Sequence, residues 1–575
     1  MAETLISPGV LARENDQSFV TTQPTERGAA IIGPTVLGPV ENPTLISSFS
    51  SYQAIFGGAL ESGSNEYTYL TSIAANQYFQ NGGSSLLVTR VTSGSFTPST
   101  SSIIETGSGG PVSGLSPFVL ETISEGTVMN TGTTEITNGA LQSGSTKNVR
   151  WEIASVNSAS GVFSLLVRRG DDTNSNRVIL ESYNNISLDP FASNYISRAI
   201  GDISSTVVTE GVDTFLQESG SFPNISNYVR VKQVNFTTPN YFNNDGSAKN
   251  SFTGSLPSIG SGSFNGAVGS NIPVGRPANF YQNINATDTQ GLVGSDYDTA
   301  IALLSNQDDY QFNVISAPGL SNQHQADQVT SIMNNSISRG DNIAIVDLVG
   351  YNQPINTVIS QAGGIDNSYT ATYWPWLQTI DPNSGQLVFV PPSTFIPGVY
   401  AFTDASSDPW FAPAGITRGG MGQVVRAERK LTSTNRDTLY EANVNPIATF
   451  PSQGVVVFGQ KTLQKAASAL DRVNVRRLLI TLKGQISQIA DNLVFEQNTI
   501  ATRQNFLTQV NPYLESVQQR QGLYAFKVVM DEQNNTPDVI DRNELVGQIF
   551  LQPTRTAEFI LLDFNVLPTG ATFPA

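Results

Sequence analysis

The chain has 575 residues, 39% of them hydrophobic and 13% charged, so it can build several cores with about half the usual charged share. With no cysteine, a single histidine and a net charge of −17, it excludes a disulfide framework, a thiol nucleophile and a thiolate metal site, and it is a poor candidate for nucleic-acid binding. The opening MAETLISPGVLAR has no basic segment ahead of an apolar stretch, so it does not read as a secretory signal. The longest apolar runs, such as GVVVFG at 454–459, fall far short of membrane-spanning length.

Residues 1–22 read as an extended arm, because SPGV at 7–10 breaks any helix and polar ENDQS follows. SSFSSYQAIFGG at 47–58 predicts a helix with Ser at its start and Gly at its end. A second helix is expected over 67–83 and a strand over 84–91. From 99 to 289, Ser, Gly, Thr and Asn dominate, and short apolar runs such as FSLLVRR (163–169) and NYVRVKQVNF (227–236) predict strands between turns. The tail of this region, 251–270, is close to low complexity and reads as a flexible surface loop. Beyond 290 the pattern returns to helix (296–306), strand (312–318), helix (322–340) and strand (342–350), an order that implies a parallel pair. Val475, Leu478, Leu482, Ile486, Ile489 and Leu493 then step by three or four, which marks an amphipathic helix over 473–496. A second helix over 499–521, broken at Asn511–Pro512, precedes strands at 523–531, 544–552 and 556–566. There is no internal repeat.

These elements give an α+β multidomain chain. A split α/β domain over 23–98 and 290–415 carries a β-rich insertion at 99–289. A C-terminal domain over 416–555 is followed by a terminal strand at 556–575. Charge divides with them. Residues 416–575 hold 16 of the 30 basic residues and 14 of the 47 acidic ones, a net of +2, and the remainder carries −19. Lys461, Lys465, Arg472, Arg476, Arg477 and Lys483 lie within 23 residues with Asp471 as the only acid. They read either as a docking face for an acidic partner or as a solvated face with local ion pairs.

Catalytic signals are thin. Ser–His–Asp chemistry would have to use His324, which reads as a solvated helix residue. GVVVFGQKT at 454–462 misses the phosphate-loop pattern: Gln460 separates the second Gly from Lys461, and the apolar run lies where the loop should be. It reads as a strand ending at a turn. The pairs Asp171–Asp172 and Asp308–Asp309 offer carboxylates for calcium or for a carbohydrate-active site, and solvated turns are the plainer reading. YWPWLQ at 373–378 reads as a packed aromatic cluster before it reads as a sugar platform. No metal, cofactor or catalytic set emerges.

The stretch YWPWLQTIDPNSGQLVFVPPSTFIPGVYAFTDASSDPWFAPAG, beginning at Tyr373, resembles the contractile tail sheath proteins of myovirus-type phages. LYEANVNPIATFPSQGVVVFGQKTL continues the resemblance, with Gln460 and Lys461 where alanine and arginine are usual, and SPGVLARE and GPTVLGPVENPTLISSFSSYQAIFGG fit its amino-terminal part. Together these cover roughly 1–95 and 310–575, and 99–289 shows no match. The resemblance implies a structural subunit without enzymatic activity or cofactor, built on an α/β sheath core. Its partners would be further copies in stacked hexameric rings, the tail tube, and baseplate and terminator proteins, with no nucleic acid and no membrane insertion. It would be a virion tail component assembled in the host cytoplasm. The C-terminal domain would face the tube, making Lys461, Lys465, Arg472, Arg476, Arg477, Lys483 and Arg503 tube-facing candidates. A bacterial extracellular contractile injection system is the alternative within the family, and a β-rich surface or capsid-decorating protein the alternative outside it.

Nine residues before the last, TAEFILLDFNV at 556–566 gathers Phe559, Ile560, Leu561, Leu562, Phe564 and Val566. With Leu5, Ile6, Val10 and Leu11 at the other end, these apolar residues are expected to add strands to the sheets of neighbouring subunits, ordered only in the polymer.

Overall fold

Short runs of small and branched apolar residues, such as AAIIG at Ala29–Gly33 and IAIVD at Ile343–Asp347, are buried along their whole length. They are the inner strands of an eight-stranded sheet, and a strand covered on both faces reads as a continuous apolar run. The structure, a computed structural model, describes residues 27–62, 65–107, 115–132, 135–211, 213–270 and 280–560.

Across that sheet the strands run Thr44–Ile46, Leu86–Arg90, Ala29–Gly33, Val314–Ser321, Ile343–Asp347, Thr370–Trp374, Asn445–Phe450 and Gly454–Val457. The six inner strands are parallel and the two outer ones antiparallel to their neighbours. The parallel pair expected from 312–318 and 342–350 is present, with Val314 beside Ile343. Helices cover both faces. On one, Ala29 and Ile31 meet α1 (Phe49–Phe56), α2 (Leu70–Gln80) and residues 396–400. On the other, Ala30 and Ile32 share a core with α3 (Ala326–Arg339) and α4 (Ile355–Gly363). Two further helices, α5 (Ile396–Ser406) and α6 (Ser433–Glu441), complete the two layers. Ser48 starts α1 by accepting the Ser51 amide at 3.1 Å.

The parallel strands follow a doubly wound order whose direction reverses between Ala29–Gly33 and Val314–Ser321. Folds of this kind bind ligands in the crevice at that reversal, with phosphate held on a helix N-terminus. Here Gln290, 1% exposed, fills the position. Its Oε1 accepts the Leu70 amide at the start of α2 at 2.8 Å, and its Nε2 donates to the Pro318 carbonyl at 3.2 Å.

Residues 98–265 build a second, antiparallel sheet of seven strands, with Gly260–Asn265 in the middle position. The low-complexity segment therefore contains a central strand, which corrects its reading as a flexible surface loop. Phe264 is fully buried. A Cβ on Gly262 would stand 2.4 Å from the Trp151 ring, so the glycine lets the ring lie flat on the strand. Composition hid the strand because one large side chain and several small ones suffice beside a tryptophan. Asp172, expected in a solvated turn, is also buried at 3% exposure, in a charge cluster with Arg150 and Arg168. Asp308 and Asp309 are exposed turn residues.

After Val457 the chain forms α7 (Val473–Asp491) and α8 (Ile500–Gln519), joined to a two-stranded sheet of Leu523–Val529 and Gln548–Pro553. The expected break at Asn511–Pro512 does not occur, and α8 runs unbroken through Pro512. A helical proline costs about 3 kcal/mol. Phe506, Val510, Leu514 and Val517 are all buried along α8, and each returns about 1.5–3 kcal/mol. Among the described residues no helix is long and apolar enough to cross a membrane.

Candidate assembly interface

The base of the C-terminal arm is held by side chains from three separate elements. A backbone ladder brings Lys461 opposite Arg472, with the Val473 amide donating to the Gln460 carbonyl at 2.8 Å and Thr462 to Asp471 at 3.0 Å. Residues eleven apart in sequence thus stand side by side, facing the C-terminal end of α6. Into that corner comes Glu558. Arg472 grips it as a fork, Nε to Oε1 at 2.7 Å and Nη2 to Oε2 at 3.0 Å. Gln460 Nε2 donates to Oε1 at 3.0 Å and to Thr556 Oγ1 at 2.6 Å, and Tyr440 Oη donates to Oε2 at 2.8 Å. Burial would raise the Glu558 pKa, but hydrogen bonds from Arg472, Gln460 and Tyr440 hold it below the ordinary carboxylate value. Immediately beyond the clamp, Phe559 is 82% and Ile560 76% exposed. Residues 554–560 form no strand in the subunit. Leu5, Ile6, Val10, Leu11, Leu561, Leu562, Phe564 and Val566 lie outside the described residues.

The tube-facing candidates do not share one outer face. Arg476 and Arg477 are buried at 4% exposure and Arg503 at 5%. Arg476 lies 3.9 Å over the Tyr369 ring and donates to the Ser368 carbonyl at 3.2 Å. Arg477 donates from Nη2 to both Asp404 oxygens, at 2.7 and 2.5 Å, and sits 4.6 Å over the Tyr400 ring of α5. Lys461 and Arg472 are half-buried, Lys461 donating to the Tyr440 carbonyl at 2.7 Å. Lys465 and Lys483 are the exposed members, although Lys465 Nζ reaches the Gly363 carbonyl at 2.6 Å. The cations on α7 therefore staple that helix to the α/β body. Sequence spacing shows a basic cluster but not which element supplies its partners. Arg477→Ala should lower the unfolding free energy by about 1.5–3 kcal/mol, read by urea denaturation, through loss of a charge-assisted bond; an unchanged midpoint would show the staple to be idle.

Exposed apolar side chains collect elsewhere in this unit. Phe495, at the turn between α7 and α8, is fully exposed with a φ of 70°, and Val494 beside it is 60% exposed. A positive φ is strained for a bulky residue. On the two-stranded sheet, Phe526, Val528, Ile549 and Leu551 pack toward α7 and α8, whereas Tyr524 and Phe550 point outward at 64% and 56% exposure. Among the described residues neither outer edge of this sheet is paired with another strand. Phe495, Tyr524 and Phe550 are not among the residues expected at an interface from sequence. A period of two would put Tyr524 on the same face as Phe526, and the register shift between Leu523 and Ala525 is what turns Tyr524 outward.

Residues 290–463 match the family model described as the phage tail sheath protein central domain, and residues 465–566 match the phage tail sheath C-terminal domain. Both segments belong to the phage tail sheath family. The tail sheath protein of Vibrio phage KVP40 is 38% identical over 235 residues, which cover 40% of this chain and 35% of that protein. That of Enterobacteria phage T4 is 34% identical over 230 residues, again 40% and 35%. The chain thus spans about a third of the length of the phage relatives it matches. A solved sheath tail protein of Listeria innocua covers 92% of this chain and 96% of its own, with a TM-score of 0.51 and 12% identity, a likeness of fold alone.

Within the sheath-family segments the remaining candidates serve packing. His324 precedes α3 in a turn and is half-buried, and burial lowers its pKa. Tyr373, Trp374 and Trp376 are 2–3% exposed and pack in the core, with Tyr373 and Tyr400 hydroxyls 2.7 Å apart. Gly454–Val457 is a strand, preceded by a turn at 451–453 and followed by an irregular segment. Among the described residues no group of three or more His, Asp or Glu side chains is placed to hold a metal.

Proposed function

We propose that the chain is a structural subunit of a contractile phage tail sheath. It polymerises as stacked hexameric rings around a tail tube and contracts to drive that tube through a host envelope. The family match over 290–566 carries this reading, and the relationship to two phage tail sheath proteins favours a phage over an injection system. The unit after Val457 would face the tube, with Lys465 and Lys483 as its exposed cations, and residues 99–289 would lie outside; the boundary expected at 416 falls later because Asn445–Phe450 and Gly454–Val457 are strands of the eight-stranded sheet. Baseplate and terminator proteins would bind the ends of the cylinder in a tail assembled in the host cytoplasm.

Subunits would be linked by strand exchange. The segment beginning at Phe559 supplies a strand, and the unpaired edges of Leu523–Val529 and Gln548–Pro553 supply a place for one. Work would be stored at assembly in the extended polymer. Negative-stain microscopy of the purified protein tests the proposal directly. Striated cylinders are expected, and particles that stay dispersed at every concentration and ionic strength tried would overturn it.

A further inference from the structure

Glu558 is a half-buried carboxylate with four donors arranged around it, on a segment otherwise exposed from Arg555 to Ile560. The donors do not come from the two-stranded sheet that the arm leaves. They come from α6, from the segment after Gly454–Val457 and from the residue that opens α7. The arm is also held upstream, where the Thr554 amide donates to the Gly522 carbonyl at 3.2 Å. Between Pro553 and Glu558 five residues can span at most ~17 Å, so two fixed ends leave this stretch little freedom. At Phe559 the holding stops and the apolar run begins.

We propose that Tyr440, Gln460 and Arg472 form a clamp on Glu558 that fixes where and in which direction the apolar arm leaves each subunit, so that it docks on a second copy of this chain. The inference rests on the strand-exchange reading and adds a device that it does not require: an arm tethered only by its covalent bond would also exchange. A clamped base pre-orders residues 554–558 within the subunit. Docking then has only the residues beyond Glu558 to order, which raises the arm's effective concentration at a neighbour's sheet edge. The clamp residues act through position, since none of them needs to touch the neighbour.

The chain has no cysteine, so spin labels can be placed singly. Labels at Phe559→Cys and Ile416→Cys, both exposed, report the arm's direction in the unassembled full-length subunit. A narrow distance distribution is expected, broadened by Glu558→Ala and, to a smaller extent, by Tyr440→Phe, which deletes one hydroxyl and spares the fold. In the unlabelled chain Glu558→Ala should raise the concentration needed for cylinders by at least about tenfold, the equivalent of one charge-assisted bond. A distribution of the same width in wild type and both variants would overturn the clamp, as would cylinders of Glu558→Ala at the wild-type concentration. Cylinders from a chain ending at Ile560 would instead overturn strand exchange, with the spin-label widths still deciding whether the arm is clamped.

Discussion

A chain ending after Ile560 is expected to fold as a soluble subunit and to form no cylinders. The deletion removes Leu561, Leu562, Phe564 and Val566 and leaves every described contact in place. Ordering the eight residues 559–566 costs about 8–16 kcal/mol at 1–2 kcal/mol each. Burying their six large apolar side chains returns about 9–18 kcal/mol. The two nearly cancel, so the backbone bonds offered by a neighbour's sheet edge, about 1 kcal/mol each, decide whether the segment orders. Neither half suffices alone, which is why a clean loss of polymer is expected and not a graded one. Circular dichroism and sedimentation velocity should show a folded monomer, and microscopy an empty field. Cylinders from this chain would end the strand-exchange proposal.

Arg168→Ala should destabilise the seven-stranded sheet by about 3–5 kcal/mol, seen as a loss in the urea transition that reports on it. The Arg168 and Asp172 side chains are fully buried, joined Nε to Oδ2 at 2.7 Å and Nη2 to Oδ1 at 2.7 Å. Arg168 Nη1 also holds Glu152 Oε2 at 2.8 Å. Arg150, equally buried, pairs with Glu135 and stands 3.5 Å from Asp172. Removing Arg168 takes the bidentate partner from Asp172, leaving it Arg150 at 3.5 Å and the Val178 amide at 3.0 Å, and leaves Glu152 with only the part-exposed Arg177 at 3.1 Å. Arg169→Ala is the control. Its side chain is 38% exposed and pairs with Asp171 in solvent, so at most about 1 kcal/mol is expected. Equal losses from the two variants would contradict this account.

The sequence by itself determined those elements whose signal is local. The Ser48 cap and Gly57 stop bounded α1, the steps from Val475 to Leu482 marked α7, and the helix and strand order after 296 required a parallel pair. It also carried the sheath resemblance, which rests on long motifs read in order. Tertiary structure decided what depends on partners far along the chain. Arg476 and Arg477 look free in sequence because Ser368, Tyr400 and Asp404, which engage them, lie some 70 to 110 residues away. Gly260–Asn265 looks unstructured because its apolar partner, Trp151, belongs to another strand. Glu558 reads as one acid in an apolar tail, and only the ladder between Lys461 and Arg472 creates the corner that receives it. The physical reason is common to all three. Periodicity and capping act over one or two turns of backbone, whereas desolvating a charge or seating a ring requires groups that only the folded chain brings together.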